Sequence, residues 1–184
     1  MTPPRFLLFA LATSAPLAPA CAVGGGDLSW DLPADVEGVD LRVGNGSITV
    51  LPGDDDRIHI EWSGGGIGNQ NVHPEPELIG DVVYLDARCG DACGGDITVW
   101  LPPGLDVLAE ATRGDIEISM SRRADIRACV AAGAVILEVP AGAYDLDLSV
   151  GAGDLTIEGV GHDPSSSERI EACTAAGDLE VFGT

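Results

Sequence analysis

The feature that most constrains this fold is a unit that recurs along the chain. In each copy, alternating apolar residues lead to a glycine, and two more apolar residues follow it at alternate positions. From Gly95 onward, the turn glycines are spaced 19, 19, 20 and 24 residues apart. A period of two on both sides of a turn predicts two short strands, each with one buried face. Such a unit cannot bury its apolar face alone, so the copies are expected to stack. The turn glycines are Gly46, Gly95, Gly114, Gly133, Gly153 and Gly177.

The apolar positions of the repeat predict the core. Seven, five and three residues before the glycine stand Val39, Leu41, Val43; Val107, Ala109, Ala111; Ile126, Ala128, Val130; Leu146, Leu148, Val150; and Ile170, Ala172, Thr174. Two and four residues after it stand Ile48, Val50; Ile97, Val99; Ile116, Ile118; Val135, Leu137; Leu155, Ile157; and Leu179, Val181. We predict an all-β domain over residues 36–184, a flattened β-solenoid or β-roll with rungs ~4.8 Å apart. A twisted two-sheet β-sandwich is the alternative.

Residues 51–94 interrupt the regular repeat. Ile58–Trp62 and Val82–Leu85 each alternate like a strand, and the Gly- and Pro-rich loop Ser63–Glu77 lies between them. Long loops tolerate insertion and carry function, so this loop is a candidate for specific binding. A smaller insertion, Asp163–Glu168, accounts for the last spacing of 24 residues.

The N-terminus predicts export. Residues 1–20 carry one basic residue, Arg5, then an apolar run and the small-x-small sequence Ala18–Ala20, as in a secretory signal peptide. Cys21 would then be the first mature residue, which is typical of a lipoprotein acylated on that sulfur, although Pro19 departs from the usual lipoprotein pattern. Ordinary cleavage that leaves Cys21 unlipidated is the alternative. Residues 21–35 are interpreted as a flexible tether and a first strand.

The charge of the chain limits its partners. The formal net charge is −21, and all nine basic residues are Arg. Nucleic acids and anionic membrane surfaces require basic patches, so neither is an expected partner. The only membrane contact that we predict is through a lipid on Cys21. The charge favours solubility, cations or basic partners in the envelope or outside the cell.

Four acidic residues directly follow turn glycines: Asp96, Asp115, Asp154 and Asp178. Stacked copies would place these carboxylates in a row along one edge, where they could share Ca²⁺. Aspartate also suits turns because its side chain accepts hydrogen bonds from nearby backbone N–H groups. The chain lacks the glycine-rich nonapeptide of calcium-binding β-rolls, so the turn role is favoured and no cofactor is otherwise expected.

The cysteines beyond Cys21 are even in number, as expected for disulfides in an exported protein. Cys89 and Cys93 flank a Gly-Asp turn and can close a bridge across it. Cys129 and Cys173 share one position of the repeat, but the copy between them carries Ser149 there. A stack in chain order would separate these two by two rungs, ~9–10 Å, beyond the ~7 Å Cα limit of a disulfide. Either both stay thiols or the copies do not stack in chain order, and a Cys129–Cys173 bridge would therefore count against the predicted solenoid.

The sequence contains no recognisable catalytic motif. It has no Gly-x-Ser-x-Gly, no phosphate-binding loop and no His-Glu-x-x-His, and its three His are scattered. We therefore predict a protein that is not an enzyme. An envelope carbohydrate hydrolase or lyase is a disfavoured alternative, since the abundant acids match no specific dyad.

The Gly-Asp-Ile/Leu-x-Ile/Val turns behind an export signal resemble the putative adhesin domains of bacterial envelope proteins. The resemblance covers residues ~36–184 and is clearest from Leu105 to Val181. It implies a β-solenoid-like domain at the cell envelope, without catalytic residues. We expect an adhesin-like binding or structural module, found in the periplasm, at the outer membrane or at the cell surface. A calcium-dependent binding module is the alternative. Open edges of such a stack also favour self-association.

Overall fold

The computed structural model describes residues 27–53, 56–66, 74–88 and 93–184. Within these ranges the chain forms sixteen β-strands and no helix, which confirms the all-β prediction. None of the described segments is therefore a helix that could span a membrane. The strands form two eight-stranded sheets, and each sheet contains both parallel and antiparallel pairs.

We call the two sheets A and B, and number the strands in chain order. In spatial order, sheet A consists of β1 (Leu28–Pro33), β4 (Arg57–Gly66), β7 (Cys93–Leu101), β3 (Ile48–Pro52), β9 (Ile116–Ser119), β11 (Val135–Val139), β16 (Leu179–Gly183) and β13 (Leu155–Glu158). Sheet B consists of β14 (Val160–His162), β12 (Gly142–Val150), β15 (Arg169–Thr174), β10 (Ile126–Ala132), β8 (Asp106–Arg113), β2 (Gly38–Asn45), β6 (Val82–Ala87) and β5 (Glu77–Ile79). The inward side chains of both sheets form one hydrophobic core.

Each repeated unit contributes one strand to sheet B before its turn glycine and one strand to sheet A after it. Neighbouring units pair in parallel and in register, so equivalent positions of the repeat lie side by side. Ala128 of β10, for example, lies between Ala109 of β8 and Ala172 of β15. The period of two in the sequence therefore sets both the buried face and the register between units.

The units do not stack in the order of the chain. The unit of β12 and β13 lies at the edge, and the last unit, β15 and β16, inserts between it and the unit of β10 and β11. On the other side, the unit of β2 and β3 lies between two other units. One of these consists of β6 and β7, and the other of β8 and β9. Residues 159–168, which include β14, supply the chain length for the return of β15 to an inner position.

The order of the units explains the pairing of two cysteines. A separation of two rungs between Cys129 and Cys173 was the expectation for a stack in chain order, and it is wrong. Because β10 pairs directly with β15, the two residues are neighbours in register and form a disulfide with a Cα–Cα distance of 4.6 Å. Ser149 lies on the far side of Cys173, in β12.

The core confirms the predicted burial in every unit except the one at the edge. Ile116, Leu137 and Val181 are 0% exposed, and the other predicted inward residues of the inner units are at most 7% exposed. Leu155 and Ile157 of β13 were predicted to be buried, but they are 47% and 41% exposed. The reason is their position: among the described strands none lies beyond β13 in sheet A, so its inward side chains face the end of the stack.

The turn glycines stack into a column that tolerates no side chain. Gly133 has a φ of 144°, and a Cβ there would overlap the carbonyl oxygen of Gly114 in the adjacent unit. The same overlap with the preceding glycine of the column occurs at each of Gly46, Gly114, Gly177 and Gly153. The repeat therefore needs glycine both for its backbone conformation and for the close approach of neighbouring turns.

The irregular segment closes the other end of the stack. The strands predicted at Ile58–Trp62 and Val82–Leu85 are confirmed as parts of β4 and β6. β4 and β1 add antiparallel strands beyond β7. The loop predicted from Ser63 begins later, because β4 continues to Gly66, and its residues 67–73 lie outside the described residues. A Cβ at Gly64 would lie 2.5 Å from the Trp62 ring, so glycine is what lets the indole pack on this strand.

Candidate binding surfaces

The carboxylates that follow the turn glycines form a row that links neighbouring units. Three of the four accept a hydrogen bond from a backbone N–H of the next unit along sheet A, not from their own turn. The pairs are Ser47 N to Asp96 Oδ1 (2.8 Å), Ala134 N to Asp115 Oδ1 (2.8 Å) and Asp154 N to Asp178 Oδ1 (2.9 Å). This geometry fits a structural role for three of the four predicted residues. Asp154 lies in the edge unit of β12 and β13, beyond which the described chain adds no strand to sheet A.

The row of turn carboxylates is expected to contribute to the free energy of unfolding. Replacing Asp115 by alanine removes one inter-unit hydrogen bond and leaves the N–H of Ala134 without that acceptor. We expect the free energy of unfolding to fall by about 0.5–1 kcal/mol, the usual net value of one such bond. Asp154→Ala is the matched control, since it removes the same group at the open end. Denaturant unfolding measures both, and equal losses for the two variants would contradict the inter-unit role.

Calcium binding at this row remains a prediction to be tested. Calcium prefers six to eight oxygen ligands around one ion. Within the described ranges, no three His, Cys, Asp or Glu side chains lie close enough together to hold a metal ion. We expect the melting temperature to be equal in millimolar Ca²⁺ and in EDTA, because a ligand specific for the native state would raise it. A higher Tm in Ca²⁺ that Asp115→Ala abolishes would instead establish the calcium site.

The outer face of sheet B carries a chain of ion pairs across its strands. The pairs, with their N–O distances, are Arg42 with Asp40 (2.8 Å) and Glu110 (3.6 Å), Arg127 with Glu110 (3.9 Å) and Glu171 (3.3 Å), and Arg169 with Glu171 (3.9 Å) and Asp147 (2.8 Å). Arginine and acid alternate, so the charges of this face largely neutralise one another. Each partly exposed pair contributes about 0–1 kcal/mol, so the network favours one register of the strands more than it adds stability.

A groove of about 350 Å³ lies on the same face and is lined by several carboxylates. Asp106 Oδ1 accepts the backbone N–H of Asp125 at 3.0 Å, and Asp125 Oδ1 accepts that of Arg169 at 2.8 Å. Asp40 and Glu171 are bound in the ion pairs described above. A glycosidase needs two carboxyl groups that face the scissile bond. Here four carboxylates of the groove are already bound to partners within the protein.

The outer face of sheet A, from β7 to β13, has a different character, and we call it the A face. None of its six strands contains Arg, and its outward acids are Asp96, Glu117, Glu138, Glu158 and Glu180. Four apolar side chains on it are only half-buried: Leu51, Trp100, Ile136 and Phe182. The A face thus combines negative charge that no arginine of its strands neutralises with apolar side chains that remain in contact with solvent.

His59 of β4 lies beside the A face, between two carboxylates. Its Nδ1 is 2.8 Å from Asp31 Oδ1, its Nε2 is 3.2 Å from Glu61 Oε1, and its ring centroid is 5.2 Å from that of Trp100. The hydrogen bond to Asp31, and then that to Glu61, raise the pKa of His59 above its ordinary value of 6.5. The protonated ring donates to both carboxylates. The bond to Asp31 strengthens the contact between β1 and β4, whereas Glu61 belongs to β4 itself.

The raised pKa of His59 can be measured directly. We expect NMR titration to give a pKa above 6.5, and Asp31→Asn to lower it, because the main acceptor of its hydrogen bond loses its charge. With a folded pKa above the unfolded one, the stabilisation is complete below pH 6.5 and is lost as the pH rises through the folded pKa. Asp35→Asn is the control, because it removes one negative charge from the same part of the chain at a residue that does not contribute to the shift of the His59 pKa. A pKa of 6.5 or lower in the unmodified protein would contradict this account.

Sequence reasoning missed the ion-pair network and the second carboxylate row at Asp106 and Asp125. A signal for the network was present, since Arg42 and Glu110 occupy one repeat position, and Arg127 and Glu171 occupy another. The stacking order decides which units are neighbours. This order cannot be derived from equivalent positions of the repeat alone. Cys21 and Cys89 lie outside the described residues, as does the side chain of Cys93, so lipidation and the bridge across the Gly-Asp turn remain predictions.

Comparison with known proteins gives similarity at the level of solved structures. No family model matches the sequence, and no curated protein matches it. One similar structure is a putative cell adhesion protein from Clostridium sporogenes ATCC 15579, with 10% identity and a TM-score of 0.48, over 88% of this chain and 100% of that one. Another is a putative adhesin from Parabacteroides distasonis ATCC 8503, with 11% identity and a TM-score of 0.29, over 85% and 97%. Similarity this distant assigns no function to the chain.

Proposed function

We propose that this chain is a non-enzymatic, exported protein of the cell envelope that works as an adhesin-like binding module. The observation that carries the proposal is the A face, where Glu117 and Glu138 lie among half-buried apolar side chains. Acids on the outer face of sheet B are neutralised by arginines, whereas those of the A face have no arginine in their own strands. A partner with positive charges and apolar groups would complement this surface.

The architecture suits display of such a surface. We interpret the domain as a flattened β-solenoid whose units are stacked out of chain order, because equivalent strands pair in parallel and in register across both sheets. The alternative, a two-sheet sandwich, would show the same A face. In either case the backbone hydrogen bonds between units hold the outward side chains in fixed rows.

Export is supported by the predicted signal peptide and by the Cys129–Cys173 disulfide. Disulfides persist in oxidising compartments and are rare in the cytosol. Mass spectrometry of the processed protein tests this part of the proposal. We expect a first residue of Cys21, and its mass decides whether that sulfur carries a lipid. An unprocessed Met1 in the native host would contradict export.

The absence of catalysis is supported by the state of the carboxylates. Four carboxylates of the groove on sheet B are bound by arginines or backbone N–H groups, namely those of Asp40, Asp106, Asp125 and Glu171. Carboxylates held this way are poor candidates for a general acid. A hydrolase or lyase activity toward an envelope polysaccharide that one acidic substitution abolishes would overturn this part of the proposal.

Binding is tested by reversing charge on the A face. The labelled, processed protein is titrated with the envelope fraction of its own species, alongside a variant carrying Glu117→Arg and Glu138→Arg. We expect saturable binding that this variant weakens by about tenfold or more, since like charge at an interface costs affinity. The control carries Asp81→Arg and Asp154→Arg, which change the net charge equally outside the A face. Equal binding by both variants, or none by the unmodified protein, would contradict the proposal.

A further inference from the structure

The large apolar side chains that are most exposed in the described residues lie at the two ends of the stack. Leu155 and Ile157, 47% and 41% exposed, belong to β13, the last strand of sheet A. Leu78 and Ile79, 66% and 57% exposed, belong to β5, the last strand of sheet B at the opposite end. We call the β12 and β13 end the far end and the β1 and β5 end the near end.

Both ends present strand edges. Among the described strands, β13 pairs only with β16, and β12 pairs beyond β15 only through its first three residues, with β14. At the near end, β1 pairs only with β4, and β5 pairs only with β6. Open edges above an exposed apolar interior are a template for strand addition.

The strand directions of the two ends are compatible. β1 is antiparallel to β4, and β4 is antiparallel to β7, so β1 runs in the same direction as β13. β5 is antiparallel to β6 and hence to β12. A second copy that continues the stack and its twist would therefore place β1 parallel to β13, and β5 antiparallel to β12. Both arrangements form regular backbone hydrogen bonds.

The apolar positions of the two ends also match in level. Through β4, Leu28 and Trp30 of β1 lie level with Ile97 and Val99 of β7. These are the repeat positions that Leu155 and Ile157 occupy in β13. Leu28 and Trp30 are half-buried and pack on the core from one side only, at the end of the sheet. Continued stacking would bring each of them against its counterpart on the far end.

From these observations we infer that copies of this chain associate head to tail, the far end of one against the near end of the next. Two far ends are less suitable partners for each other. An antiparallel β13 pair that places Leu155 opposite Ile157 also places Asp154 opposite Glu158, and like charges directly opposite destabilise a sheet. Such a contact between unlike ends does not close on itself, so the assembly grows with protein concentration.

The size and charge of the ends set the conditions of association. The end strands β5, β13, β1 and β12 have three, four, six and nine residues, so they are roughly 10 to 30 Å long. Two packed sheets with their outer side chains are roughly 20 Å across, so each end offers roughly 300–400 Å². The total lies below the ~1,200 Å² of standard specific interfaces, so the contact is weak and reversible. The net charge of −21 opposes it, and salt screens this repulsion.

Sedimentation velocity tests the inference on the processed chain with Cys21→Ser, which excludes a lipid or an intermolecular bond at that residue. We expect monomers at low salt and low concentration, and larger species as either increases. Leu78→Asp and Ile157→Asp, one at each end, should each weaken association by about tenfold or more. Ile136→Asp, the same kind of change on the A face, should leave it unaltered. Monomers under all conditions would overturn the inference.

Mixing the two end variants distinguishes head-to-tail contact from contact between two far ends. Leu78→Asp retains an intact far end and Ile157→Asp an intact near end, so a mixture should form a one-to-one dimer that grows no further. Each variant alone should stay monomeric. A dimer formed by Leu78→Asp alone would establish contact between two far ends and overturn the head-to-tail arrangement. The readout needs no binding partner, so it is independent of the proposed function.

Discussion

Replacing Gly133 by alanine is expected to lower the free energy of unfolding by about 3 kcal/mol or more. Its φ of 144° is one that side chains rarely adopt, at a cost of about 1–3 kcal/mol. The added Cβ also overlaps the carbonyl oxygen of Gly114, and overpacking of this kind costs about 1–3 kcal/mol more. The backbone of the neighbouring turn cannot move away without breaking the hydrogen bonds between the units. Denaturant unfolding of the purified variant measures the loss.

The control for this prediction is Gly80→Ala in the turn between β5 and β6. Gly80 also has a positive φ, 64°, but a Cβ there would meet no atom within 4 Å. Only the conformational cost remains, about 1 kcal/mol. If Gly133→Ala cost no more than Gly80→Ala, the close stacking of the turn glycines would be contradicted.

Removing the Cys129–Cys173 disulfide is expected to cost about 3–4 kcal/mol. The bond joins residues 44 apart, and in the chain-entropy model a loop of that size restricts the unfolded chain by about this amount. It also joins β10 to β15, the pair created by the return of the chain to an inner position. The double variant Cys129→Ala and Cys173→Ala should therefore unfold at a clearly lower denaturant concentration than the oxidised protein.

Reduction of the disulfides allows the unmodified protein to be compared with the double variant. Dithiothreitol should destabilise the unmodified protein but have a much smaller effect on the double variant, which retains Cys89 and Cys93. The difference between the two responses isolates the contribution of the bridge between β10 and β15. Equal responses of the two proteins to the reductant would contradict this role of the bridge.

The repeat in the sequence was enough to predict the strands, their register and the burial of the inner units, but not the exposure of Leu155 and Ile157 in the edge unit. Ile116 and Leu137 are buried because a period of two places them on one face, and parallel pairing of equivalent positions repeats that face in each unit. The turn aspartates were predicted to bond backbone N–H groups. The donor of the neighbouring unit, as for Asp115 with Ala134, appears only once the stack is known.

The order of the units could not be predicted, because equivalent units can exchange places at little cost in local pairing. Val181 fits beside Leu137 as well as Ile157 would, so the sequence does not decide which unit occupies the edge. The exposure of Ile157 and the pairing of Cys129 with Cys173 both follow from that order. The candidate surfaces were missed for the same reason, since ion pairs such as Arg127 with Glu171 depend on which strands are adjacent.

The stacking order, on which the ends and the surfaces depend, is tested by mapping the cysteines of the oxidised protein. Trypsin cleaves after Arg127 and Arg169, so Cys129 and Cys173 lie in separate peptides, 128–169 and 170–184. Mass spectrometry without reduction should find these two peptides joined. Finding both as free thiols, or either one joined to the peptide that carries Cys89 and Cys93, would contradict the direct pairing of β10 with β15.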